Sequence, residues 1–435
     1  MGAGHAHGPT PPAGRRAVWA AAAVIVPLAV ATVAALVWMW PPGLAAPAPS
    51  AAGLERVTGT ITSVDLKPCP QEPPLEGVPQ AAQPPEPDPA TCGDAEVLLS
   101  SGRNSGIHVT TGLPSGPGAP RFAEGDDVVL LHMPASELDA PPYQLSDHDR
   151  STPLWWFVAA FALAVVAFGR WRGVTALVGL AVTFVLLLMF VIPAILAGEP
   201  PLPVAIAGAA AIMLAVLYLT HGFSLTTSTA VVGTLVSLSL TGVLAYAAIG
   251  VARLNGITDD SSFYLDLSYD INTQGLLLAS VIIGSLGVLD DVTVTQAVTV
   301  AELARANPSY GFAKLYRAAA RVGRAHIASV INTIILAYSG ASLPLLLIIS
   351  VGGRPIEEIL ASPVLAQEIM RSVVGTLGLI SAVPITTALA ALVSARGAAA
   401  EEKKPARRRR RDEEAWAALA PHDHAGEEAD FWRSR

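Results

Sequence analysis

The stretch Gly284-Ser285-Leu286-Gly287-Val288-Leu289-Asp290-Asp291-Val292-Thr293-Val294-Thr295-Gln296 decides how this chain is read. It sets two adjacent carboxylates past the middle of an apolar run, 275–301. An apolar run of that length reads as a membrane-crossing helix. A charged Asp at the centre of such a helix costs about 2.5–3.5 kcal/mol on insertion scales. Two in a row need a reason, and ionisable groups there face a bundle interior or a water path. Helical geometry separates the pair. Ser280, Gly284, Gly287, Asp291 and Thr295 follow 3–4 spacing and share one small, polar face. Asp290 points about 100° away, toward Leu286 and Thr293. The sequence therefore ranks Asp291 first and Asp290 second as a proton or cation site.

The rest of the chain agrees with a membrane setting. Of its 435 residues 52% are hydrophobic and only 14% charged, and mean hydropathy is +0.50. Soluble domains carry about a quarter charged residues, so a soluble globular protein is excluded. Further apolar runs lie at 17–40, 154–169, 174–197, 202–220, 225–250, 326–351 and 370–394. The expectation is a membrane all-α fold: a polytopic bundle of about eight transmembrane helices. The first run is longer than a signal-peptide core and reads as an uncleaved helix. The 326–351 run is interrupted at Ser339-Gly340-Ala341-Ser342-Leu343-Pro344, as one broken helix or two half-helices. Broken backbone of that kind can line a cavity in transporters.

Charge distribution sets the orientation. Eight spans put both termini on one side. Taken as cytoplasmic, that side holds 19 of the 27 Lys and Arg residues, as the positive-inside rule requires. The reading is a multi-pass cell-membrane protein with cytoplasmic tails 1–16 and 395–435, a helix over 17–40, an extracytoplasmic domain over 41–152 and a multi-helix membrane domain over 153–394. Net charge is −8, so nucleic acid is not expected as a partner. Arg407–Arg411 next to the last helix suits anionic lipid.

The external segment carries strand patterns at Arg56–Val64, Ala95–Ser100, Gly106–Thr111 and Asp126–His132. About five short strands predict a small β-rich, OB-like domain. A Pro-rich insert, 67–94, interrupts it and is bracketed by Cys69 and Cys92. Outside the cytoplasm these two form a disulfide or remain free thiols.

Asn332 and Thr333 fall at roughly the depth of Asp291. Glu368, Arg371, Ser372, Gly375 and Gly378 share a helical face, which makes Glu368 the partner of Arg371. No His-Glu-x-x-His, Gly-x-Ser-x-Gly or Walker A pattern occurs. Gly287-Val288-Leu289-Asp290 matches the GxGD pair of intramembrane aspartyl proteases poorly, because Leu289 stands where that motif has glycine. The histidine pairs His5/His7 and His422/His424 lie in tails without further ligands. The reading is no enzyme, no cofactor and no metal site.

Several segments together resemble the YibE/F-like family: Gly287–Thr293, Ala306-Asn307-Pro308, Val322-Gly323-Arg324, Ile331–Pro344, and Tyr143–Arg150 before the second helix. The resemblance spans about 54–394. It implies an integral-membrane transporter or permease of unidentified substrate and brings no established site residues with it. The functional expectation is thus a transporter of a small solute or ion, coupled through an intramembrane aspartate. The alternative is a non-transporting sensor or scaffold built on the external domain.

Overall fold

The computed structural model describes residues 15–41, 55–69, 91–115, 118–133, 142–257, 267, 271–351 and 355–402. Residues 1–14 and 403–435, with the Arg407–Arg411 run and both tail histidine pairs, and residues 70–90 of the Pro-rich insert lie outside the described residues, whereas the start of the expected 395–435 tail continues the last helix to Glu402. The chain divides into two compact units, Pro42–Gly173 and Met1–Pro41 with Val174–Arg435.

The first unit holds a small, curled, five-stranded antiparallel sheet: β1 (Glu55–Leu66), β2 (Gly93–Leu99), β3 (His108–Gly112), β4 (Asp127–His132) and β5 (Tyr143–His148), in the order β3-β2-β1-β4-β5. Strict alternation explains it. Val57 and Ile61 on β1, Val97 and Leu99 on β2, and Val128 and Leu130 on β4 all point to one buried core with Phe122. Register shifts at Ile61/Ser63 and Val129/Leu130 bend the long central strands. The sheet curls until its outer strands meet. The buried Thr111 hydroxyl on β3 donates to the Tyr143 carbonyl (3.0 Å) and accepts from the Leu145 amide (3.3 Å). The fifth strand, Tyr143–His148, falls in a segment that the sequence reading treats only as a junction, although Tyr143 and Leu145 alternate inward as strand residues should.

Cys69 and Cys92 form a disulfide, with Cα atoms 5.1 Å apart. It closes the base of the Pro-rich excursion, beside the Lys67 amide bond to the Cys92 carbonyl (3.0 Å). Lys67 and Asp94 form an ion pair there. At Gly93 (φ +139°) a Cβ would lie 2.1 Å from the Asp65 carbonyl oxygen, so the strand begins with glycine. The same unit includes α2 (Ser151–Gly169), which has no buried residue. Its entry is fixed by Asp147, which accepts two bonds from Arg150 (2.6 and 2.8 Å), and by Asp149, which accepts from the Ser151 amide (2.9 Å).

The second unit is helical: α1 (Arg15–Trp38), α3 (Trp171–Leu186) continuing through a π-helical turn (Leu187–Val191) into α4 (Ile192–Leu196), α5 (Pro201–His221), α6 (Leu225–Val251), α7 (Thr273–Ala306), α8 (Phe312–Ala341), α9 (Leu343–Val351), α10 (Ile356–Leu360) and α11 (Pro363–Glu402). Ser224 caps α6 by accepting from the Thr227 amide, and Asn272 caps α7 by accepting from the Gly275 amide. The centre is α7, packed against α5, α6, α8 and α11. Its core unites Met213 and Leu217 of α5, Val231 and Leu238 of α6, Leu289 of α7 and Val374 of α11.

Seven helices among the described residues are long and apolar enough to cross a membrane, not eight. The difference is the 326–351 run. Its first part is the second half of α8, whose first half is basic. Ser342 ends that helix, and Pro344, near the start of α9, cannot donate to the Gly340 carbonyl. Neither piece is by itself a long apolar helix.

Two outcomes are expected from the β unit. Replacing Cys69 and Cys92 with Ser frees a loop of 23-residue separation and should lower its stability by about 3 kcal/mol, read as a shift of its denaturation midpoint. The Arg150 guanidinium, followed by the His148 amide, holds the Asp147 carboxyl down at about 2, against an ordinary 3.8. A depressed carboxyl stabilises the fold above its ordinary range and loses that contribution as pH falls through 4 toward 2. Thermal midpoints recorded from pH 5 to 2 should therefore fall less steeply for Asp147→Asn than for the wild type.

Candidate functional site

The buried polar groups of the helical unit form a seam. Thr234, Ser237 and Thr241 on α6, Ser285, Thr293 and Gln296 on α7, and Thr386 and Thr387 on α11 are all buried. Most return a hydroxyl to their own helix, as Thr241 does to the Ser237 carbonyl (2.8 Å) and Thr387 to the Val383 carbonyl (2.6 Å). Two links cross between helices. The Thr234 and Thr293 hydroxyls share a hydrogen bond of 2.6 Å, and the Gln296 side chain donates to the Ala319 carbonyl (3.0 Å). Ser237 Oγ and Thr386 Oγ1 are buried without a partner. Glycines bring the backbones this close. A Cβ on Gly233 would lie 2.3 Å from Thr386 Oγ1, and one on Gly378 would lie 2.0 Å from Thr241 Oγ1. Such small-residue contacts are how membrane helices approach. Nothing in the sequence reading singles out this seam. Its signal is there in the 3–4 spacing of Thr234, Ser237 and Thr241.

Asp290 stands at the edge of this seam. Its own carbonyl accepts from the Thr293 hydroxyl (3.1 Å). Its side chain is half-buried, with Oδ1 enclosed and unpartnered. Asp291 has turned the other way. It is exposed, as are Gly284, Gly287 and Thr295 on the same face. The small, polar face that the sequence assigned to close packing inside the bundle thus lies on the outside of the single chain. Burial explains the rotation: Ile282, Leu286, Leu289 and Val292 make the bulkier face, and they take the core.

Asn332 and Thr333 lie about one helical turn from the level of Asp291. The Gln296–Ala319 bond and the approach of Gly284 to the Tyr338 hydroxyl fix α7 and α8 antiparallel, which sets Asp291 level with Ser329. Both residues are exposed, so the structure does not bring them into the bundle. The Thr333 hydroxyl donates to the Ser329 carbonyl of its own helix (3.1 Å).

Glu368 and Arg371 pair as expected, Nη1 to Oε1 at 2.6 Å. Arg371 also lines a cavity of about 20 Å³ between α7, α8 and α11, with Gly284, Ser285, Tyr338, Ser372 and Gly375. That is room for about one water molecule. Arg371 Nε is buried and unpartnered. Among the described residues no cluster of three or more His, Cys, Asp or Glu could hold a metal ion.

The close contacts give a contrast that thermal denaturation in detergent can read. Gly233→Ala and Gly378→Ala are each expected to cost about 1–3 kcal/mol by overpacking. Gly287→Ala meets nothing within 4 Å and should leave the midpoint unchanged or slightly raised, since Ala is the better helix former.

The family model of YibE/F-like proteins matches residues 157–396, more than half of the chain, from within α2 to near the end of α11. No curated protein and no solved structure matches the chain.

Proposed function

We propose that this chain, which belongs to the YibE/F-like family, moves a small solute or ion across the bilayer, with Asp290 as the group that couples a proton or cation to that movement. The observation behind this reading is the half-buried Asp290 carboxylate with its unpartnered Oδ1. An ionisable group retained in an apolar helix, at an energetic cost, is by default a candidate for function. The unpartnered hydroxyls of Ser237 and Thr386 offer further stopping points for water or an ion in the same bundle. Gradient-driven movement needs no nucleotide site, consistent with the sequence.

With α8 and α9 together taken as an eighth crossing, the Arg and Lys distribution supports cytoplasmic termini and an external 41–152 segment. The strand order of the sheet and the Thr111 link between β3 and β5 support an OB-like domain there. The bilayer, and anionic lipid at Arg407–Arg411, are the partners this arrangement suits. A non-transporting sensor or scaffold is the competing reading, favoured by the separate core and disulfide of the β unit.

Thermal midpoints of the purified wild type, Asp290→Asn and Asp291→Asn, scanned with monovalent and divalent cations at two pH values, separate the two. A ligand that binds only the native state stabilises it by about 2.7 kcal/mol at a hundred times its Kd. The expected outcome is a concentration-dependent rise in the wild type that Asp290→Asn abolishes. If Asp290→Asn is simply less stable and no protein responds to any ion, Asp290 is interhelical glue and the sensor reading takes over.

A further inference from the structure

The outward face of α7 and the adjoining flank of α8 form a polar strip that the helices among the described residues leave open. On α7 it comprises Gly284, Gly287, Asp291 and Thr295, all exposed. On α8 the inward face is Ala319, Gly323 and Ile327, followed by the half-buried Val330, Ile331 and Ile334. His326, Ser329 and Thr333, at 3–4 spacing, flank that face on the side toward α7. Ser329 and Thr333 are exposed, and His326 has its Nε2 enclosed and unpartnered. Antiparallel register sets Asp291 level with Ser329, and Thr295 near His326. A carboxylate, two hydroxyls and an imidazole thus lie together along helices otherwise suited to lipid.

Lipid tails offer no hydrogen bond to such groups. Nor do α1 and α2. Between Phe157 and Gly169, α2 carries no polar side chain, and α1 carries only Thr32 between Ala20 and Val37, already bonded to the Leu28 carbonyl (2.9 Å). The strip, in contrast, is complementary to itself. A two-fold axis along the membrane normal preserves depth. It lays α7 of one copy against α8 of the other, so each Asp291 meets the Ser329 hydroxyl of its mate, with the half-buried His326 about one turn away. The small residues Gly284 and Gly287 let the helices approach. An isologous contact of this kind satisfies both carboxylates at once. We propose that this strip is the interface with a second copy of the chain, and that Asp291 is its central polar contact.

The test uses the full chain in lipid nanodiscs. Two differently tagged versions, one carrying Thr295→Cys and the other His326→Cys, are co-expressed and oxidised. The native mass of the untreated wild type is measured alongside. The expected results are a dimer mass and a cross-link between the two tags. Gly287→Leu, which has open space around its Cβ within the chain and so leaves the fold intact, should lower the dimer fraction and the cross-link yield at least tenfold. A monomer mass without a cross-link overturns the proposal. So does a dimer whose mass is indifferent to Gly287→Leu, since its contact must then lie elsewhere.

Discussion

The helical unit depends on two contacts in which a threonine hydroxyl rests where a side chain would otherwise be. Gly233 admits Thr386, and Gly378 admits Thr241. Both join α6 to α11, and the Thr234–Thr293 hydrogen bond joins α6 to α7. Between apolar helices in lipid there is no hydrophobic driving force for association, so close packing and hydrogen bonds decide the arrangement. The three helices locked in this way fix the rotation of α7. That rotation determines which of two neighbouring carboxylates is drawn toward the chain's interior.

The separation of Asp290 and Asp291 is the main chemical result. Adjacent in sequence, they meet different surroundings because a helix advances about 100° per residue. One has an enclosed oxygen beside a seam of hydroxyls. The other stands on an open polar strip with Thr295, Ser329 and Thr333. A single pair of residues thereby serves two different surfaces of the same helix.

Much of this was legible in the sequence, and the misses have physical causes. Apolar length located seven of the eight expected helices, because composition alone determines that feature. The 326–351 run, expected to be interrupted at 339–344, is divided there between α8 and α9, and neither piece is by itself a long apolar helix. The Glu368–Arg371 pair followed from 3-residue spacing on one helix, whereas two cysteines flanking one insert left a disulfide and free thiols both open, and the structure joins them. The ranking of Asp291 over Asp290 rested on the idea that a small, polar face turns inward. That idea names a packing face without naming the partner helix. Ile282, Leu286 and Leu289 competed for the same interior and occupy it. The Thr234–Thr293 contact spans two runs far apart in sequence, and periodicity within one run cannot report such a pair.

The rotation of α7 carries the account, and disulfide trapping across the α6–α7 contact tests it most directly. Thr234→Cys combined with Thr293→Cys should cross-link rapidly in membranes under mild oxidation, since those side chains touch. Thr234→Cys combined with Thr295→Cys should not, because Thr295 lies on the exposed face. The reverse pattern would contradict the account: α7 would then turn its Asp291 face toward α6, and Asp290 would no longer be the enclosed carboxylate.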